Sequence, residues 1–145
     1  MSLEELYREV ILDHYRNPRN RTPLESPTNR AEGVNPLCGD EVTVELIVDE
    51  GQIKAVSVRG HGCSISQSSA SMMSQAIGGK TFDEVESLTD RFKMMLESPN
   101  GDALDPERPG AELGDLEALQ GVRKFPVRIK CAYLPWATLQ NALGS

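Results

Sequence analysis

The sequence predicts a single α+β domain, and three observations carry that prediction. Apolar and polar residues alternate over 42–48 and again after Glu50-Gly51, the period of an antiparallel hairpin. Helical spacing flanks this hairpin, in Leu3, Leu6, Tyr7, Val10 and Ile11 before it and in Val85, Leu88, Phe92 and Met95 after it. No repeat or shift in composition divides the 145 residues, a length that suits one domain able to bury its own core.

Residues 3–16 read as an amphipathic helix ended by Asn17-Pro18. The proline-rich stretch 17–37 reads as an extended loop over the surface. Two strands alone are marginal in water, so a third is expected within 20–35. Val42, Val44, Leu46 and Val48 form the core face of one hairpin strand, and residues 52–59 form the other. After Gly60-His61-Gly62-Cys63, Ser64 or Ser66 is expected to cap a helix that runs to Ile77 and stops at Gly78-Gly79. Thr81 and Glu84 have the spacing of a capping box for the next helix. Residues 98–112 hold three prolines and two glycines with mixed charge and read as a mobile insertion. Leu116, Leu119 and Val122 suggest a short helix, and Phe125-Pro126 opens the last one. Pro135 lies inside that helix and cannot donate to the Cys131 carbonyl, which predicts a kink or two helices meeting near Leu134.

The net charge of −7 argues against nucleic acid as a partner and leaves room for a basic patch on a protein. No apolar run is long enough to span a bilayer, so no membrane association is expected. The acidic, helix-like start shows no signal peptide, and a cytoplasmic location is expected. There, three cysteines stay reduced, and an odd number cannot close a disulfide framework.

The surroundings of those cysteines favour chemistry over packing. Cys38 and Asp40 sit two apart in a Pro- and Gly-punctuated turn, where both side chains can face one way. Cys63 precedes a helix, whose dipole favours thiolate. Cys131 is flanked by Arg128 and Lys130, cations that also favour thiolate. The plain alternative is three buried apolar cysteines, since free Cys is among the most buried residue types. Three thiolates and a carboxylate suit tetrahedral Zn²⁺ or iron–sulfur chemistry, and residue type does not separate the two.

Four stretches resemble the IscU-like family of iron–sulfur cluster assembly proteins, related to the NifU N-terminal domain, and within it the SufU type. They are Leu6–Arg19 (LYREVILDHYRNPR), Asn35–Asp40 (NPLCGD), Gly60–Met73 (GHGCSISQSSASMM) and Leu113–Ala132 (LGDLEALQGVRKFPVRIKCA). They extend over most of the chain in the family's order. The resemblance implies a three-stranded antiparallel sheet with helices packed on one face. It implies Cys38, Asp40, Cys63 and Cys131 as ligands to a metal, zinc in the SufU type. SufU-type members accept persulfide sulfur from a cysteine desulfurase and pass it on to cluster assembly, a sulfurtransferase role that needs the desulfurase as partner. Scaffold-type members build a [2Fe–2S] cluster on the same positions, here Cys38, Cys63 and Cys131. Two departures favour the SufU type: Lys130 stands where the scaffold type has histidine, and 94–112 resembles the SufU-type insertion. Phe125-Pro126-Val127-Arg128-Ile129 departs from the scaffold type's chaperone-docking motif.

For sulfur to be accepted, one cysteine must leave the metal, and Cys38 is expected to do so because a loop ligand moves at least structural cost. Arg128 and Lys130 are expected to steady negative charge as sulfur passes. A scaffold holding a nascent cluster and a binding protein with a structural zinc only are the competing readings. Gly79-Lys80-Thr81 imitates the end of a phosphate-binding loop, but Ser74 occupies the place of the required glycine. His14 reads as packing or surface, and His61 as an exposed loop residue.

Overall fold

The computed structural model describes residues 2–97, 108, 110–111 and 113–144. Most of the insertion expected over 98–112 therefore lies outside the described residues.

The first helix, α1 (Leu3–Arg16), carries an N-cap at Ser2, whose hydroxyl accepts the Glu5 N–H at 3.1 Å. Its Tyr7, Val10 and Ile11 pack on the core as the spacing predicts. Three strands follow, β1 (Asn29–Asn35), β2 (Asp40–Asp49) and β3 (Gln52–His61). They form an antiparallel sheet in the order β1-β2-β3, so the third strand falls within the expected stretch and β2 is central. Val42, Val44 and Leu46 are buried as the alternation requires, and a register shift between Ile47 and Val48 ends it.

Helix α2 (Ser64–Ile77) begins one residue after Cys63, which is its N-cap. This corrects the expectation of a serine cap. Ser66 is buried against the turn and donates to the Cys63 carbonyl at 3.1 Å instead. Helix α3 (Phe82–Glu97) has the predicted capping box, with Thr81 N–H donating to Glu84 Oε1 at 3.0 Å and Glu84 N–H to Thr81 Oγ1 at 3.2 Å. Gly114–Lys124 winds as 3-10 turns, and α4 (Pro126–Gly144) closes the fold. Helix α4 runs unbroken through Pro135, so two separate helices meeting near Leu134 are ruled out.

Helices α2 and α4 cover the sheet, with Met72, Met73, Trp136 and Leu139 fully buried in one core with Val44 and Leu46. Trp136 stacks on Phe92 of α3 with ring centroids 4.8 Å apart. His14 is fully buried between two partners, Ser71 Oγ at 2.8 Å from Nδ1 and Asp115 Oδ2 at 2.9 Å from Nε2. It ties α1, α2 and the 3-10 segment together, which settles its role as packing. Among the described residues no helix is long and apolar enough to cross a membrane.

Candidate metal centre

Two turns, the start of β2 and helix α4 converge at one end of the sheet. The β1–β2 turn presents Cys38, the first residue of β2 is Asp40, the β3–α2 turn presents Cys63, and the second turn of α4 presents Cys131. One ligand atom each from Cys38, Asp40 and Cys131 lies within 4.8 Å of the other two. The Cys38 and Cys131 sulfurs are 3.1 Å apart, and Cys63 Sγ stands at the edge of the group, 3.8 Å from Asp40 Oδ2. Two thiolates bound to one tetrahedral ion at about 2.3 Å sit about 3.8 Å from each other, so Cys38, Asp40 and Cys131 need little movement to close on an ion, whereas Cys63 lies outside that close group and approaches it through Asp40.

Asp40 is the hub. It is almost fully buried, and its Oδ1 accepts the Cys63 backbone N–H at 2.8 Å while Oδ2 faces the Cys63 thiol. One carboxylate thus ties the start of α2 to the sheet and turns its second oxygen toward the sulfurs. Gly62 makes this approach feasible: its φ is +146°, and a Cβ there would fall on Asp40 Oδ1.

Exposure separates the cysteines. Cys131 is fully buried, whereas Cys38 and Cys63 are half-buried and open onto a cleft of about 800 Å³. Phe125, Val127 and Leu37 rim that cleft with largely exposed apolar surface. Arg128 lines it too. A hydrogen bond to Cys131, and then the nearby charge of Cys63, hold its guanidinium above its ordinary range. Lys130 is not brought to the sulfurs. It lines a separate groove with Lys93, Glu97 and Tyr133, because adjacent side chains on a helix diverge by about 100°. His61 is exposed and pairs with Glu41 across the strands, facing solvent. Asn35 was not among the residues the sequence pointed to, yet its Nδ2 donates to Cys131 Sγ at 3.7 Å.

Burial pushes the Cys131 thiol up, and hydrogen bonds with Cys38 and Asp40 add to the shift. In the metal-free protein the folded state then holds this proton more tightly than the unfolded chain does. That contribution is fully present below the unfolded value of about 8.5 and is lost as pH rises above it. The metal-free protein is expected to melt at lower temperature at about pH 10 than at about pH 8. Zinc reverses the sign, since bound thiolates carry no proton, and the loaded protein gains stability as pH rises toward about 8.5. Calorimetry of both forms across this range checks both slopes.

The family description "NifU-like N terminal domain" matches residues 6–132. The zinc-dependent sulfurtransferase SufU of Bacillus subtilis is 42% identical over 143 residues, covering 99% of this chain and 92% of that protein. The iron–sulfur cluster assembly scaffold protein IscU of Thermotoga maritima is 35% identical over 143 residues, covering 99% of this chain and 96% of that protein. Among solved structures, a putative iron–sulfur cluster assembly scaffold protein for the SUF system from Fervidobacterium islandicum superposes with a TM-score of 0.82. It is 34% identical and covers 98% of this chain and 99% of that one.

Proposed function

Because the chain belongs to the family of NifU-like N-terminal domains, we propose that it is an iron–sulfur cluster assembly protein that accepts persulfide sulfur from a cysteine desulfurase at a zinc centre. The supporting observation is a half-buried thiol, Cys38, on a turn at the mouth of a cleft, 3.1 Å from a second thiol that is fully buried.

Cys38, Asp40, Cys63 and Cys131 would hold the zinc. Two sulfurs and one oxygen already stand close together with the Cys63 sulfur beside Asp40, a donor set zinc takes, and among the described residues no histidine joins the close group. When bound, zinc keeps the thiols deprotonated at neutral pH. Cys38 is the acceptor in this reading, because it sits on the turn and faces the cleft. Its thiolate attacks the outer sulfur of the desulfurase persulfide. A new S–S bond forms at Cys38, the enzyme's own S–S bond breaks, and the electron pair leaves on the enzyme's cysteine as thiolate. Arg128 lines the cleft and steadies the negative charge that moves during the exchange. Lys130 is left out of that step. The exposed Leu37, Phe125 and Val127 would seat the desulfurase and keep water from the passing sulfur.

Desulfurase turnover is expected to rise severalfold with the zinc-loaded chain and to stay at its basal rate with the metal-free chain. No stimulation by either form would remove the sulfur-acceptor reading. The IscU relatives favour a second reading, a scaffold for a nascent [2Fe–2S] cluster. Anaerobic addition of iron and sulfide decides between the two: a stable visible chromophore held by Cys38, Cys63 and Cys131 would support the scaffold.

A further inference from the structure

Two thiols 3.1 Å apart need something to make them different, and one residue touches both their supports. Asn35 is the last residue of β1 and pairs across the sheet with Asp40. It is buried, at 8% exposure. Its backbone carbonyl accepts the Cys38 N–H at 3.2 Å. Its side-chain Oδ1 accepts the Leu37 N–H at 3.3 Å. The turn that carries Cys38 is therefore fastened twice by one residue. The remaining side-chain group, the Nδ2 amide, donates to Cys131 Sγ at 3.7 Å. The amide can point only this way, because Leu37 N–H is a donor and claims the oxygen.

The other sulfurs have different company. Cys63 Sγ faces Asp40 Oδ2 and Ser66 Oγ at 3.8 Å each. Cys38 Sγ has only the neighbouring Cys131 sulfur among its described hydrogen-bond contacts. An N–H aimed at sulfur draws electron density from it, which weakens it as a nucleophile and fixes its direction. Residues behind a metal ligand commonly orient it in this way.

We propose that Asn35 is a positioning residue that holds Cys131 as the anchored, less nucleophilic thiol of the pair and leaves Cys38 as the one that takes sulfur. The proposal rests on the sulfur-acceptor reading given above. It adds what selects the acceptor: one residue whose side-chain N–H binds the wrong sulfur and whose backbone and side-chain carbonyl oxygens hold the loop of the right one.

The test uses the full chain in metal-free form with brief exposure to iodoacetamide, the modified Cys38 and Cys131 peptides being counted by mass spectrometry. Wild type is expected to react at Cys38 over Cys131 by about tenfold or more. Asn35→Leu keeps the bulk and drops both the donor to Cys131 and the acceptor for the Leu37 N–H, and the ratio is expected to fall severalfold while zinc affinity drops on the order of tenfold. An unchanged ratio and affinity in a folded Asn35→Leu overturns the proposal, as does equal reactivity of the two thiols in wild type. If that variant fails to fold, the wild type still decides by nuclear magnetic resonance. The Asn35 side-chain amide should show a proton protected from exchange that loses its protection in Cys131→Ala, and an amide that exchanges freely in wild type overturns the proposal. Persulfide mapping after desulfurase turnover separates the two levels. Sulfur on neither cysteine sinks the acceptor reading, whereas the alkylation ratio is read without the desulfurase and judges Asn35 by itself.

Discussion

Cys38→Ser is expected to lower sulfur uptake from a desulfurase by on the order of 10²-fold or more, while the folded protein keeps part of its zinc. The hydroxyl that replaces the thiol is a far weaker nucleophile at neutral pH and cannot form the S–S bond on which uptake depends. The fold has little at stake in this position. Cys38 lies on a turn, half-buried, and the hydrogen bond that anchors the turn uses its backbone N–H, which serine retains. Asp40, Cys63 and Cys131 stay in place for the metal. Cys131→Ser should behave differently. It removes a fully buried sulfur that meets Cys38, Asn35 and Arg128, so metal content should fall together with uptake. Mass analysis of persulfidated protein, paired with zinc determination on the same samples, separates the two variants. Persulfidation of Cys38→Ser at the wild-type rate would assign the acceptor elsewhere.

The ease with which each part of this molecule is read from sequence follows from how local its causes are. Helix α1, the β2–β3 hairpin and the capping box of α3 rest on periodicity and on contacts three or four residues apart, and all lie where the pattern puts them. Strand β1 has no such pattern. Its inward positions are Asn29, Ala31, Gly33 and Asn35, small or polar because α4 rides directly on the strand. A Cβ on Gly33 would fall on Thr138 Oγ1, and Asn29 donates to the Ala142 carbonyl at 2.8 Å. An apolar run would have no room there, so the signal that usually betrays a strand is absent. The need of a hairpin for a third partner, and the three-stranded sheet the family resemblance implies, pointed to it.

The site divides along the same line. Cys38, Asp40 and Cys63 stand in turns with their own punctuation, and the family motifs carry them. Asn35 meets Cys131 across 96 positions of sequence, a contact that exists only once α4 has docked on β1. Lys130 shows the opposite failure. Adjacency to Cys131 in the chain suggested adjacency in space, but on a helix neighbouring side chains diverge by about 100°. Arg128, three residues before the cysteine, shares its face and reaches the sulfurs.

Gly62→Ala is expected to cost about 2–4 kcal/mol of stability together with most of the bound zinc. Two independent effects add. At φ +146° the backbone of Gly62 occupies a region nearly closed to residues with a side chain, a strain of about 1–3 kcal/mol. The new methyl also has no free space, since it would meet Asp40 at Oδ1 and lie 2.8 Å from the Asp40 Cα. Relief requires the carboxylate to turn away or the β3–α2 connection to shift. Either movement breaks the 2.8 Å bond from Cys63 N–H, which leaves the first backbone donor of the α2 junction unmet and pulls Cys63 from the sulfur group. Asp40→Asn supplies the comparison that isolates charge from shape. Its side-chain oxygen can still accept the Cys63 N–H, so folding should change little, yet the negative charge offered to the metal is gone. Thermal melts and zinc titrations of the two variants should therefore part company, with Gly62→Ala losing both properties and Asp40→Asn chiefly the second. If Gly62→Ala melts and binds zinc as the wild type does, the close approach of the β3–α2 turn to Asp40 is not what holds the centre together.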